Sequence, residues 1–319
     1  MLYQNLLDMV GKTPLVRLNN ISPNRNVRIF AKLEGQNPTG SIKDRIAKYM
    51  LLDAEKTGVL FPGKVLLEPT SGNTGISLAM MAKVKGYELE VVMPDSVSLE
   101  RRKLLEAYGA RIILSEGRLG TNGAIRLAEE IAASDKRYVM LNQYGNAANV
   151  EAHYETTACE IIADLNDDIG SQDPPNVDAF VAGLGTGGTL MGVGKRLKEH
   201  YPESKIVAVQ PCPKGGLQGL RSLSDGFVPP ILDMDRIDES FVVKDEDAFA
   251  MLKTLLEKEA ILAGISSGAV LHVVEKIAAR MDAGTIVTVF PDGAWKYLSM
   301  NLWTEEPESI SKTVNGPLW

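Results

Sequence analysis

The chain has 319 residues, of which 45% are hydrophobic and 24% charged, the balance of an ordinary globular protein rather than a disordered or fibrous one. Its net charge of −7 argues against a general nucleic-acid surface, which needs clustered Lys and Arg, but leaves room for a small basic pocket around an anion. Two cysteines, Cys159 and Cys212, lack metal or redox spacing, which excludes a disulfide framework.

In chain order, Met1 to Val10 reads as a short amphipathic helix whose Leu2, Leu6, Met9 and Val10 need a partner surface, such as another subunit. This start lacks a basic-then-apolar layout, and no apolar run reaches membrane-spanning length, so a cytoplasmic protein is expected. Val27 to Leu33 has the β-branched, apolar character of a strand. After the turn-forming run Pro38-Thr39-Gly40-Ser41, residues Ile42, Ile46, Ala47, Met50, Leu51 and Ala54 recur at helical spacing, which places Lys43 in the first turn of a helix. Next come strand Val65 to Leu67, helix Ile76 to Lys85 capped by Gly86, strand Leu89 to Met93 and helix Leu99 to Tyr108 stopped by Gly109. Strand Ile112 to Leu114, helix Gly123 to Ala133 and the segment Tyr138 to Asn142 close this first series.

The loop Gln143-Tyr144-Gly145-Asn146 precedes a long helix through Glu160 and Ile162, and the domain change is expected there. Residues 40–146 form the predicted smaller domain, and residues 1–39 with 147–319 the larger. Asn166 to Asn176 reads as a surface loop. A second series follows: strand Ala179 to Ala182, helix Leu190 to Lys198, strand Ile206 to Val209, helices Asp247 to Lys258 and Gly268 to Met281, and strand Ile286 to Phe290. Such alternation predicts an α/β fold with mostly parallel twisted sheets flanked by helices, in two domains.

Three constellations carry chemistry. Lys43 stands at a strand-loop-helix junction, where the positive end of a helix dipole and partial burial push an ammonium toward the neutral amine that attacks carbonyls; a lone solvated lysine is the plain alternative. Gly183 to Gly188 matches G-x-G-x-x-G between a strand and a helix, yet the following strand ends in Gln210-Pro211 instead of the acid a dinucleotide ribose requires. The amides of Gly185, Thr186, Gly187, Gly188 and Thr189, with the threonine hydroxyls, suit a compact phosphate monoester, or else form a tight packing turn. Thr70-Ser71-Gly72-Asn73-Thr74 also opens a helix and suits a carboxylate, or else is an elaborate N-cap. Together, a poised lysine, a phosphate cradle and a carboxylate cradle meet the need of an amino acid held against pyridoxal phosphate (PLP).

Five motifs stand in one order: Gly11-Lys12-Thr13-Pro14-Leu15, Asn37 to Arg45, Glu68 to Gly75, Gly185 to Thr189, and Gly264-Ile265-Ser266-Ser267-Gly268. In these the chain resembles, over nearly its whole length, the cysteine synthase family of PLP enzymes with the fold of the tryptophan synthase β-subunit. The resemblance implies Lys43 as the Schiff-base lysine, Asn73 on the cofactor's ring hydroxyl, Gly185 to Thr189 around its phosphate and Ser266 facing the pyridine nitrogen. It also implies Thr70, Ser71 and Thr74 for the substrate carboxylate, with Gln143 nearby, so that residues 40–146 bind the substrate carboxylate and the larger domain binds the PLP phosphate. One departure is Ala147, where the family usually has proline.

A serine hydroxyl does not hold the pyridine nitrogen protonated, so the ring is a weaker electron sink and loss of a β leaving group competes well. An α-aminoacrylate results, and a sulfur nucleophile gives cysteine. The stretch Gly219 to Pro229 and the ending Gly316-Pro317-Leu318-Trp319 most resemble the branch that uses O-phosphoserine, with O-acetylserine as the other activated serine. Some members of that branch take sulfur from a small carrier protein ending in a thiocarboxylate, and a homodimer is expected. Arg221 offers a planar fork to a phosphate leaving group, or else pairs with Asp225 or Asp233 on the surface. His153, His200 and His272 have no ligand spacing and are read as surface or packing residues. The rival readings are other PLP activities on the same scaffold (cystathionine synthase, serine or threonine dehydratase, a diaminopropionate-type synthase) and a dinucleotide-dependent oxidoreductase, which Gln210 argues against.

Overall fold

The computed structural model describes residues 2–70, 72–95, 97, 99–167, 176–213 and 215–305. Its strands are β1 (Leu15–Leu18), β2 (Val27–Leu33), β3 (Val65–Pro69), β4 (Glu88–Pro94), β5 (Arg111–Ser115), β6 (Tyr138–Met140), β7 (Ala179–Gly183), β8 (Lys205–Pro211), β9 (Glu239–Val243) and β10 (Gly284–Phe290). The α-helices are α1 (Lys43–Lys56), α2 (Asn73–Lys85), α3 (Leu99–Tyr108), α4 (Gly120–Ser134), α5 (Ala147–Ala152), α6 (Ala158–Asn166), α7 (Gly188–His200), α8 (Asp245–Glu259) and α9 (Ile265–Ala278). A π-helical turn, His153–Thr157, joins α5 to α6. Two compact units result: unit 1 holds residues 2–11 and Asn37–Asn149, and unit 2 holds Lys12–Gln36 and the described residues from Val150 onward.

Unit 1 is built on a four-stranded parallel sheet in the order β5-β4-β3-β6. Its central strands read as continuous apolar runs because both faces are covered: Val91, Val92 and Met93 are wholly buried. Each such side chain contributes about 1.5–3 kcal/mol by leaving water. Helix α4 closes one face, where Ala124 and Ala128 pack on Leu67 and Val92. Helix α2 is buried from Thr74 through Ala82, as a core helix apolar on all sides should be, and it packs on α1, α3 and the sheet. Gly86 ends it at φ +80°, with its N–H donating to the Ala82 carbonyl, in the role its position predicts.

Unit 2 carries a six-stranded sheet in the order β1-β2-β10-β7-β8-β9, parallel except for the antiparallel edge pair β1–β2. Phe180, Val181, Val207, Val209, Ile286 and Val287 are at most 1% exposed and form its centre. The α/β architecture is as the alternation predicts.

One expectation is corrected. Instead of a helix over Met1 to Val10 there is one 3-10 turn, Leu6–Met9, capped by the Asn5 side chain. So few residues do not sustain an isolated helix; Leu7 turns inward, whereas Leu2, Leu6 and Met9 stay exposed. Strands β1 and β9 escape the sequence pattern because both are sheet edges, and the alternating burial of β9 breaks up its apolar run. In the helical turn Ala294–Met300, Ala294 and Tyr297 pack inward and the Tyr297 hydroxyl donates to the Asp292 carboxylate at 2.8 Å, while Trp295 and Leu298 are about half exposed.

Candidate active site

Lys43 is the first residue of α1 and is half-buried. The preceding chain is held in a tight turn, where Gly40 adopts φ +77° and its N–H donates to the Asn37 carbonyl at 2.8 Å. Asp44, wholly buried in the first turn, fixes this entry: its carboxylate accepts the Thr39 N–H at 2.7 Å and the Thr39 hydroxyl at 2.5 Å. The Thr39 hydroxyl also lies 3.2 Å from the Ser77 hydroxyl of α2, so the lysine turn and α2 are tied together. A carboxylate beside the helix start is favourable for the macrodipole and accepts the orphan donors there.

The second cluster in unit 1 surrounds the start of α2. Asn73 is its first residue, with Gly72 as N-cap, and the Gly72 N–H meets the Thr70 hydroxyl at 3.3 Å. The Thr74 hydroxyl donates to the side-chain oxygen of Gln143 at 2.7 Å, both side chains being buried. Ser71 lies outside the described residues. Glu68, at the end of β3, completes the cluster: its two carboxylate oxygens accept the backbone N–H groups of Asn142 at 3.0 Å and Gln143 at 3.1 Å. Burial pushes the Glu68 carboxyl up from 4.5 to about 7, against the downward pull of the Gln143, Asn142 and Leu141 amides. Asn142 is held at φ +52°, a left-handed conformation that few residues other than glycine adopt. Asn146 accepts the Ala148 N–H at 2.9 Å, which makes Ala147 the first residue of α5. Proline suits that position, so alanine there keeps the turn that the resemblance leads one to expect.

In unit 2 the loop between β7 and α7 is bare of side chains where it turns. A Cβ on Gly185 would lie 2.8 Å from the Gly219 carbonyl oxygen, one on Gly183 would lie 2.4 Å from Leu220, and Gly187 adopts φ +91°. The loop presents backbone amides and the hydroxyls of Thr186 and Thr189 without a carboxylate, a donor set that fits a phosphate at the N-terminus of α7. Thr189 has a partner that sequence reasoning did not assign: its hydroxyl lies 3.3 Å from His153 Nε2, and His153 Nδ1 lies 3.0 Å from the Thr157 hydroxyl. This buried histidine begins the π-turn, and Gly192 of α7 lets the two elements approach, since a Cβ there would meet the Val150 carbonyl oxygen at 2.3 Å.

Ser266 is buried in the first turn of α9, with its hydroxyl 3.7 Å from where a Cβ on Gly219 would stand. A neutral hydroxyl in that place fits a cofactor ring nitrogen without imposing a charge on it. Arg221 is half-buried; its guanidinium stacks on Phe227, 4.7 Å from the ring centroid, and its backbone N–H donates to the Leu184 carbonyl at 2.7 Å. Asp233, one of the acids suggested as its surface partner, is instead engaged by Arg236 at 3.0 Å.

The structure thus groups Lys43, Asn73, Thr70, Thr74 and Gln143 in unit 1, and Gly185 to Thr189, Arg221 and Ser266 in unit 2. Asp44 and Glu68 lie within motifs read from the sequence but receive no role there, and His153 is read only as a surface or packing residue. Asp44 adjoins the lysine, and Glu68 is an acid closing an apolar strand, which is a readable signal; a lone histidine such as His153 gives none. The ending Gly316-Pro317-Leu318-Trp319, which resembles the O-phosphoserine branch, lies outside the described residues.

Comparison with known proteins bears on the same residues. The profile of the family described as "Pyridoxal-phosphate dependent enzyme" matches residues 6–292. A cysteine synthase of Aquifex aeolicus is 42% identical over 312 residues, covering 95% of this chain and 93% of that protein. A crystal structure of cysteine synthase from Entamoeba histolytica superposes with a TM-score of 0.88 at 34% identity, covering 98% of this chain and 96% of that one. A structure of O-ureido-L-serine synthase gives a TM-score of 0.87 at 38% identity, with 95% and 96% coverage. A family match over most of the chain, on a scaffold whose phosphate-type loop, hydroxyl-bearing helix start and first-turn lysine suit that cofactor, has one meaning: the chain belongs to the pyridoxal-phosphate dependent enzymes.

Proposed function

We propose that this protein is a cysteine synthase that replaces the β substituent of an activated serine with sulfur, O-phosphoserine being its preferred substrate. The observation that carries the reaction type is the buried hydroxyl of Ser266 in the first turn of α9, where a carboxylate would hold a ring nitrogen protonated and favour other outcomes. The cysteine synthases among its relatives support the same reading.

Bound PLP supplies the electron sink that acidifies the substrate Cα–H. In this reading Lys43 would hold the cofactor and, as a free amine, would take the substrate Cα proton and return a proton at the end. Thr70, Ser71, Thr74 and Gln143 orient the substrate carboxylate, Asn73 the ring hydroxyl, and Gly185 to Thr189 the cofactor phosphate. The Cβ–O bond breaks with its electron pair on the departing phosphate, a Cβ–S bond forms from hydrosulfide, and the net products are cysteine and phosphate. Arg221 steadies the departing phosphate, which an acetyl ester gives it no charge to meet.

The reading extends to a homodimer and to a thiocarboxylated carrier protein as sulfur donor; gel filtration and a carrier-against-sulfide assay test those two points. The central test is cysteine formation from O-phosphoserine or O-acetylserine with sulfide, by wild type and Lys43→Ala. Wild type should make cysteine and Lys43→Ala should fold yet fail to turn over. No cysteine from either ester, or a variant within about tenfold of wild type, overturns the assignment. Because one solved relative is named an O-ureido-L-serine synthase, nitrogen nucleophiles belong in the same panel.

A further inference from the structure

Glu68 is 1% exposed, stands at the carboxyl end of β3 and reaches a segment 75 residues later. Its two oxygens each accept one backbone N–H, from Asn142 and from Gln143. These bonds hold the residue whose side chain receives the Thr74 hydroxyl, and whose carbonyl receives the Asn149 amide at 2.7 Å. The same β3 end leads within two residues to Thr70. One carboxylate therefore sets the spacing between the two loops that present Thr70, Thr74 and Gln143.

We propose that Glu68 is a positioning residue for the substrate: its ionised carboxylate clamps Asn142 and Gln143, and the substrate carboxylate is held well only while that clamp is intact. This rests on reading Thr70 to Thr74 and Gln143 as the carboxylate site.

An ionised carboxylate is an acceptor at both oxygens and matches two N–H donors; a protonated one turns an oxygen into a donor that faces an N–H. The clamp then loses a bond and leaves an unmatched buried group. Burial places this change near neutrality, at about 7. The groups facing Glu68 do not pin it in either state. In register, its neighbour on β4 is Val91, whereas Glu90 and Tyr138 align with Leu67 and Val65 on the opposite face of the sheet. Helix α2, which packs over Val91 through Gly75, carries Lys83 and Lys85 only in its last turn. From the clamped loop, Tyr144 is the adjoining titratable residue.

The test titrates the PLP-loaded enzyme with acetate, and with acetamide as an uncharged control, at pH 8 and pH 6. Protection of residues 139–150 against hydrogen exchange is the readout, corrected for the intrinsic pH dependence of exchange. Because only the ionised fraction is competent, a group titrating at about 7 should weaken acetate binding about tenfold between pH 8 and pH 6 in wild type. Glu68→Gln should bind acetate about tenfold more weakly at pH 8, lose the pH dependence, and exchange faster at Asn142 and Gln143 without ligand. Glu68→Asp, which keeps the charge on a shorter arm, should bind weakly yet retain a pH dependence, and it serves if the glutamine variant does not load cofactor. Acetate affinity in wild type that is flat between the two pH values, or a Glu68→Gln protein that behaves as wild type, overturns the proposal. Acetate binding no better than acetamide in wild type overturns the carboxylate-site reading instead, a result distinct from a flat pH profile.

Discussion

His153 Nε2 and the Thr189 hydroxyl meet at 3.3 Å, which joins the π-turn to the first turn of α7. Because Thr157 holds the other ring nitrogen at 3.0 Å, the imidazole is fixed from both sides and in turn orients the Thr189 hydroxyl, which the proposed function assigns to the cofactor phosphate. Removing a buried partner of this kind costs about 1–3 kcal/mol, so His153→Ala should bind PLP roughly five- to a hundredfold more weakly. Titrating PLP into the cofactor-free proteins measures this, and His153→Gln should recover part of the loss. Equal affinities would mean that His153 only fills space.

Glu68 has an expected signature in stability as well as in binding. Its folded-state pKa is raised from 4.5 to about 7, so the native state binds the extra proton between those values and is relatively favoured at low pH. Stability from this group is full below about 4.5 and is lost as pH rises through about 7, to a total of about 3 kcal/mol. Urea unfolding of wild type and Glu68→Gln at pH 5 and pH 8 should show the wild type losing most, though not all, of that amount on the way up. Parallel curves would show that the carboxyl titrates at its ordinary value.

In the proposed reaction Arg221 separates the two activated serines. Arg221→Ala should lose about 1.5–3 kcal/mol of transition-state stabilisation with O-phosphoserine, or roughly ten- to a hundredfold in kcat/KM, and little with O-acetylserine. Steady-state kinetics with both esters on both proteins decides it. An equal loss would mean that the stack on Phe227 shapes the loop without meeting phosphate, and a wild type that prefers O-acetylserine would overturn the phosphoserine reading.

Gly192→Ala sets two effects against each other. Alanine gains about 1 kcal/mol in helix propensity over glycine. Its Cβ, however, would stand 2.3 Å from the Val150 carbonyl oxygen and 2.8 Å from the Tyr154 nitrogen, backbone atoms that cannot rotate away. Overpacking costs about 1–3 kcal/mol and occasionally more, and contacts this short belong at the upper end, so the clash wins and the melting temperature should fall by several degrees. A rise would show that the π-turn yields easily.

Contiguous features were readable in the sequence, and distant ones were not. The lysine turn, the two hydroxyl- or glycine-rich loops and the interiors of the buried strands each announce themselves within a dozen residues, because caps, turns and apolar runs are local physics. The Glu68 clamp spans 75 residues and the His153–Thr189 contact 36, so neither leaves a local trace. Edge strands β1 and β9 lack the burial that makes a run conspicuous. The N-terminal segment showed the opposite error: its apolar spacing suggested a helix, but ten residues supply too few hydrogen bonds to offset nucleation.

Neighbouring strands β3 and β6 are hydrogen-bonded from Val65 opposite Tyr138, although the chain makes an excursion through α2, β4, α3, β5 and α4 between them. The Thr74–Gln143 bond therefore closes a loop of 69 residues. Entropy delays such closures until the intervening elements have folded, since the ordering they require is repaid only once β6 has docked. During synthesis, a nascent chain that has emerged through α4 already owns β3, β4 and β5 with their apolar faces. It cannot yet assemble the Thr74–Gln143 pair. Any chain released before residue 143 is a sheet without that pair, and the edge of β3 that awaits β6 is its exposed flank.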